Sequence, residues 1–272
     1  MKIIDCFIYF DEDLLLDLRM NLLNDVVDKF VIVESAITHT GLQRKLKFNI
    51  ENFKKFKNKI LYYPIKNLII DQNIKLKKNW SSFHLVDQSI RNYIKNCISS
   101  FQDNDLIIIS DIDEIPNPEK IKEFNQKKKY AFFEQDLYCY KFNLKNISQP
   151  HWYGSRICIK KYLKSPQWLR NIKIKKKNNF IKNFFLNHQI IKNGGWHFTS
   201  LKSPKDLVVK LKSFAHNELV KNYMLDEDYI FNKIKNNQDI FGRNIKLCKT
   251  NVDKNLKLFL LKNYNDYKKF II

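Results

Sequence analysis

The chain lacks any apolar run near the ~18 to 20 residues that a membrane-crossing helix requires, so no spanning segment is expected. Its five cysteines, Cys6, Cys97, Cys139, Cys158 and Cys248, are odd in number, widely scattered and without a C-x-x-C pair. That arithmetic excludes a disulfide framework and a zinc knuckle, and predicts reduced, mostly buried thiols. Glycine is scarce, with five in 272 residues, and no Gly-rich phosphate loop, Gly/Ser hinge, repeat or low-complexity linker occurs. The N-terminus "MKIIDCFIYFDEDLLL" has one Lys, an early Asp5 and no small-residue cleavage site. A secretory signal is therefore not expected, and the expected location is the cytoplasm.

The most informative absence is of negative charge. Between Leu137 and Lys205 there is no Asp or Glu, while fifteen Lys or Arg fall there, against a net charge of +21 for the whole chain. Such a block, including "KIKKKNNFIK" (Lys173 to Lys182), favours a phosphate-bearing ligand or peripheral contact with an anionic surface at the inner face of a membrane. A solvated lysine face would have the same composition. Lys, Asn and Ile are all abundant, as A- and T-rich codons favour, so the charge alone does not argue for a nucleic-acid partner.

What is present is ample for folding unaided. The chain of 272 residues is 44% hydrophobic and 14% aromatic, enough for a full core without disulfide or metal staples. "KIIDCFIYF" (Lys2 to Phe10) predicts a strand, "DEDLLLDLRMNLLNDVV" an amphipathic helix with acids in its first turn, and "DKFVIVES" (Asp28 to Ser35) a strand covered on both faces. Ala36 to Leu46 reads as a loop, "NKILYYPI" as a strand, and Ser81 to Phe101 as a long helix capped by Ser81 or Ser82. "DLIIIS" (Asp105 to Ser110) is the most buried-looking strand, and Asn117, Pro118 and Glu119 mark a helix start, making Asp111 to Pro116 a strand-to-helix loop. "YAFFEQDLYCYKF" predicts aromatic strands, "HWYGSRICI" and "NGGWHFTS" irregular segments, and the tail from Ser203 helices. The expected architecture is α/β, with a mixed central sheet flanked by helices and a helical C-terminal end in one domain, 1–272. Within it, 1–130 is read as a nucleotide-binding half, 131–205 as an acceptor and sugar half, and 206–272 as a helical segment.

Asp111, Asp113 and Glu114 stand directly behind the apolar run Leu106 to Ile109. In open α/β sheets ligands bind beyond the carboxyl ends of strands, where this spacing puts a D-x-D pair. Mg²⁺ or Mn²⁺ takes oxygen ligands, often only one or two from protein, with the rest from substrate phosphates and water. An ordinary acidic turn complementing the next helix dipole would look similar.

"DKFVIVESAITHTG", "DLIIISDIDEIPNPE", "NGGWHFTSL", "KLKSFAHNE" and "FLLKNYNDYKKF", in this order, resemble glycosyltransferase family 17, the β-1,4-N-acetylglucosaminyltransferase-like proteins. The resemblance runs from about Ile4 to Phe270. It implies a GT-A type nucleotide-sugar fold, a UDP-sugar donor taken to be UDP-N-acetylglucosamine, a divalent metal, and transfer with inversion to a glycan or glycolipid acceptor.

Carried over by motif, Asp111 and Asp113 would hold the metal, Asp113 as the direct ligand, with His197 the first choice for a further ligand and His216 the second. Gly194 and Gly195 would permit close approach to the sugar, and Trp196 would pack on its apolar face. Glu34, Ser35, Thr38 and Thr40 would meet uridine and ribose, and Arg91 and Asn92 ribose or phosphate. Ile112, between the two aspartates, joins the donor-binding set. Arg156 offers a bidentate fork for phosphate. Inversion needs one general base, and the acid-free block leaves Glu218, Glu114, Glu134 and Asp136, with Glu218 preferred and Glu114 next. Two competing classes remain: a metal-dependent nucleotidyltransferase, which would share the paired carboxylates, and a basic nucleic-acid-binding protein, which gives an acidic loop no role.

Overall fold

The computed structural model of the chain describes residues 1–38, 40–70, 82–174, 186–212 and 220–272. It divides into two compact units, one of residues 1–135 and 153–195, the other of 136–152 and 196–272.

The first unit is built on a mixed sheet with helices on both faces. Its strands are β1 (Ile3–Ile8), β2 (Lys29–Ser35), β3 (Ile60–Ile65), β4 (Leu106–Asp111), β5 (Glu114–Pro116), the first half of β6 (Tyr130–Cys139), β9 (Arg156–Ile159) and most of β10 (His188–Thr199). The short β7 (Leu144–Asn146) and β8 (His151–Trp152) belong to the other unit. β4, β1, β2 and β3 lie side by side and parallel, with Ile8 opposite Asp111 and Ser35 opposite Ile65. β9 joins β4 antiparallel and β6 joins β9 antiparallel, so the sheet is mixed.

Alternation along β1 decides what each face meets. Ile4 and Cys6 join Val31, Val33, Ile107 and Ile109 in a core closed by Ile90, Ile94 and Cys97 of helix α2 (Ser82–Cys97). Each such isoleucine, fully buried, contributes about 1.5–3 kcal/mol. Asp5 and Phe7 point the other way, toward helix α1 (Asp13–Leu23), where Arg19 meets both. The predicted strands and the two helices are thus present, with bounds that differ from the apolar pattern by a few residues at most, β4 being shifted by one.

The helix start at Asn117 has the predicted form: the Asn117 side chain accepts from Glu119 N at 3.1 Å and Pro118 opens the helix α3 (Pro118–Ile121). Of the two caps expected for α2, Ser81 lies outside the described residues and Ser82 is the first residue of the helix. Two expectations are corrected. The stretch Asp111 to Pro116 is not all loop, because Glu114–Pro116 forms β5 and pairs with β10. "HWYGSRICI" and "NGGWHFTS" are not irregular, since they hold β8, β9 and the end of β10. Gly194 and Gly195 hid that strand, and the structure shows why they stand in it. A Cβ on Gly195, at φ +131, would fall inside contact with the Ile115 carbonyl and 2.7 Å from Asn117 N. One on Gly194 would lie 2.9 Å from Glu134 N. Their bareness lets β10 close on protein backbone.

The second unit pairs β7 with β11 (Leu247–Lys249) and with the end of β6, and packs helices Pro204–Lys212 and Glu227–Lys235 over them. Leu207, Leu211, Ile230 and Ile234 form its core with Cys139, Tyr140, Leu144 and Leu247. Of the predicted helical tail, the helices Pro204–Lys212, Glu227–Lys235, Lys254–Lys262 and Tyr264–Tyr267 are present, with β11 between the second and third. The five cysteines are free, four of them buried. Burial pushes the Cys6 and Cys158 thiols well up, and carries Cys97 and Cys139 up to about 12. No helix of the described residues is long and apolar enough to cross a membrane.

Candidate functional site

The parallel strands end together at one rim, and two of them deliver polar side chains there. β4 delivers Asp111, the turn after it Asp113, and β2 delivers Glu34 and Ser35. Asp113 is half-buried in the two-residue turn between β4 and β5.

That turn is held from three directions. From below, Arg19 on α1 is wholly buried and forks onto Asp5 at 2.7 and 2.6 Å. Its remaining nitrogen donates to the Glu114 carbonyl at 2.7 Å, with the Asp111 and Ile112 carbonyls at 3.3 and 3.4 Å. From one side, Arg170 on helix α4 (Pro166–Asn171) grips Glu114 at 2.5 and 3.0 Å and Asp111 Oδ2 at 2.8 Å, and also donates to the Gly154 carbonyl. From the other, Arg91 on α2 donates to Asp111 Oδ1 at 2.9 Å and to Asp87 at 2.8 Å. Ser155 Oγ adds a donation to the Glu114 carbonyl at 2.8 Å and accepts from Ser110 and Gln135.

The two helices that carry these arginines are themselves tied together. Arg91 donates to Gln167 Oε1 at 2.6 Å, Asn92 Oδ1 accepts from Gln167 N at 3.0 Å, and Ser165 caps α4 by accepting from Trp168 N. Burial opposes charge on Arg170, but Asp111 and Glu114 outweigh it and hold the guanidinium above its ordinary value. Arg91 is raised likewise, against burial, by Asp87 and Asp111. Forked guanidinium pairs of this kind fix orientation as well as charge.

The predicted residues fall into distinct places. Glu114 is wholly buried, and its carboxylate accepts from Asp111 N at 2.9 Å as well as from Arg170. Asp111 is 38% exposed, with one arginine on each oxygen. Ile112 is buried in the turn. Glu34 is wholly buried and organises the loop after β2, accepting from Lys47 N, Phe48 N and Tyr62 and pairing with Arg44 at 3.0 Å. Ser35 accepts from Ile37 N, and Thr38 bonds Thr40 at 2.8 Å and accepts from Leu42 N. Arg156, expected as a phosphate fork, instead spends one nitrogen on the Leu169 and Ile172 carbonyls and lies over the Phe132 ring at 4.7 Å. Burial, and then the nearby Arg170, push its guanidinium below the usual value.

Glu134 accepts from Tyr153 at 2.5 Å, and Asp136 pairs with Lys145. In the second unit Trp196 is buried, and His197 sets its ring 4.9 Å from that of Trp152. His216 and Glu218 lie outside the described residues. Arg19, Asp5, Arg170 and Gln167 were not anticipated. The available signal was rarity: the chain has six arginines among 49 basic residues.

Among the described residues no group of three or more His, Cys, Asp or Glu gathers as a metal site. The donor chemistry of the turn nonetheless fits a hard divalent cation that takes one or two protein oxygens and completes its shell with phosphate and water. Asp113 is the residue that would hold it, with Asp111 beside it already balanced by two guanidinium groups.

Helices on both faces of a mixed sheet, with ionisable groups converging at the carboxyl rim of its parallel strands, define an α/β protein of the class whose ligands generally bind beyond that rim. The family model of glycosyltransferase family 17 matches residues 1–245, and the chain belongs to that family. The fold is compatible with a glycosyltransferase, and the protein is placed among the transferases that use a nucleotide-sugar donor and a glycan acceptor. No curated protein matches the chain.

Proposed function

We propose that the protein is an inverting, metal-dependent glycosyltransferase that moves N-acetylglucosamine from its UDP-sugar to a glycan or glycolipid acceptor in β-linkage, Mn²⁺ or Mg²⁺ serving as cofactor. The observation that supports this reading best is the Asp113 turn at the carboxyl end of β4, braced by Arg19, Arg91 and Arg170. A bound cation would supply charge neutralisation on the departing UDP. Asp113 binds and orients in this scheme, and Asp111 keeps two guanidinium groups at the rim, where they favour phosphate. Glu114, sealed in its ion pair, acts as an anchor, which leaves Glu218 as the preferred base to take the acceptor hydroxyl proton. His197 and His216 stay the candidates for a further ligand, and the loop after β2, fixed by Glu34, for the uridine side.

The test is incubation with UDP-N-acetylglucosamine and Mn²⁺, alone and with candidate glycans, following UDP release. Release that requires Mn²⁺ and is enhanced by an acceptor supports the reading. Release indifferent to the metal, or confined to another nucleotide donor, contradicts it.

A further inference from the structure

Arg170 binds the carboxylates of both Asp111 and Glu114, on either side of the turn that carries Asp113. It comes from a six-residue helix whose start is capped by Ser165 and whose Gln167 is tied to Arg91 and Asn92 of α2. The guanidinium sits at the boundary of interior and rim: Glu114 is 1% exposed, Arg170 12% and Asp111 38%. Arg170 thereby ties the buried Glu114 to the half-exposed Asp111 across the turn. We infer that Arg170 is a positioning residue of the transfer site, setting the shape of the 111–114 turn and so the affinity of Asp113 for a divalent cation. This rests on the metal-dependent reading above.

Charge and shape make opposite predictions here, which renders the inference testable. Removing a positive charge beside two aspartates would by itself attract a cation more strongly. Losing the fork frees the turn and weakens the site, as loss of outer-shell partners typically does by about 10- to 100-fold in metal affinity. The shape effect is expected to win, because Asp113 would hold the cation from a turn only two residues long.

Two variants separate the effects. Arg170→Lys keeps the charge and loses the planar fork. The double variant Arg170→Met with Glu114→Gln removes the buried charge together with its buried partner, while the half-exposed Asp111 keeps Arg91, so that no buried carboxylate is left unpaired to unfold the protein. Far-UV circular dichroism and thermal melting identify folded protein, and calorimetric UDP titrations across a Mn²⁺ series read the metal. In both variants the Mn²⁺ concentration for half-maximal UDP binding is expected to rise about 10-fold or more, while UDP affinity at saturating Mn²⁺ changes far less. A folded variant with an unchanged or lowered Mn²⁺ requirement overturns the inference. Absence of Mn²⁺-dependent UDP binding in the unsubstituted protein overturns the metal reading and this inference with it, and is seen before any variant is compared.

Discussion

Glu114 in the first unit and Asp239 in the second are both buried carboxylates held by an arginine, but the arginines come from different distances. Arg243 stands four residues from Asp239, and its own side chain is 52% exposed. Asp239 also accepts from Tyr140 at 2.8 Å, at a position where Tyr140 adopts φ +66. The cluster closes a local turn and holds one strained residue. Arg170 stands 56 residues from Glu114, and the same turn is reached by Arg19 and Arg91 across 95 and 20 residues. Such distant tethers spend the geometry of three helices on one short stretch of backbone. A local ion pair secures the fold, whereas a convergent set secures a particular shape at a particular rim.

The comparison is broken most severely at Arg19. Arg19→Met leaves Asp5 buried and unpaired and removes the donor to Glu114, so a loss of about 3–5 kcal/mol is expected in denaturant unfolding. The companion Asp5→Asn with Arg19→Met should recover part of it.

Gly195→Ala comes next, at about 3 kcal/mol, because at φ +131 the added Cβ runs into β5. The same melt should show β10 released from β5, and an unchanged stability would mean that the strands do not approach as described.

Asp239→Asn is milder and sharpens the contrast. Burial opposes ionisation of Asp239, yet bonds from Arg243 and Tyr140 hold its carboxyl below the usual range. A depressed carboxyl stabilises the fold above its unfolded value of about 3.9, and that stability is lost as pH falls through the lower folded value. Stability curves of the original and Asp239→Asn proteins should therefore differ by about 1.5–3 kcal/mol near neutrality and converge in acid, with Mn²⁺-dependent UDP binding untouched. Curves that stay equally far apart as the pH falls through the lowered folded value would contradict the assignment.

The parallel strands were legible in the sequence because burial on both faces leaves an unbroken apolar run, as Leu106 to Ile109 shows. Helix α3 was legible because its start is written locally in Asn117, Pro118 and Glu119. β5 and the end of β10 were not, since β5 has three residues and β10 carries adjacent glycines whose purpose is visible only against β5. At the rim, Asp111 and Asp113 were readable from their place behind an apolar strand, while their bracing was not. Asp5 and Arg19 look like ordinary members of a strand and a helix until the sheet faces are known, and Arg170 lies far from its partners along the chain. Arg156 looked available in a basic block, and its contacts with two carbonyls through one nitrogen and with the Phe132 ring were not legible for the same reason. The lysine-rich chain uses arginine at six positions, and at each of them the guanidinium meets a carboxylate or backbone carbonyl.

The account turns on whether Asp113 presents a cation to a nucleotide diphosphate. Calorimetric titration of UDP into the original protein and Asp113→Ala, each with and without Mn²⁺, measures that directly. The account predicts Mn²⁺-dependent binding in the original protein and its loss in the variant, with the apo melting temperature preserved. Equal metal-dependent binding in both would contradict it.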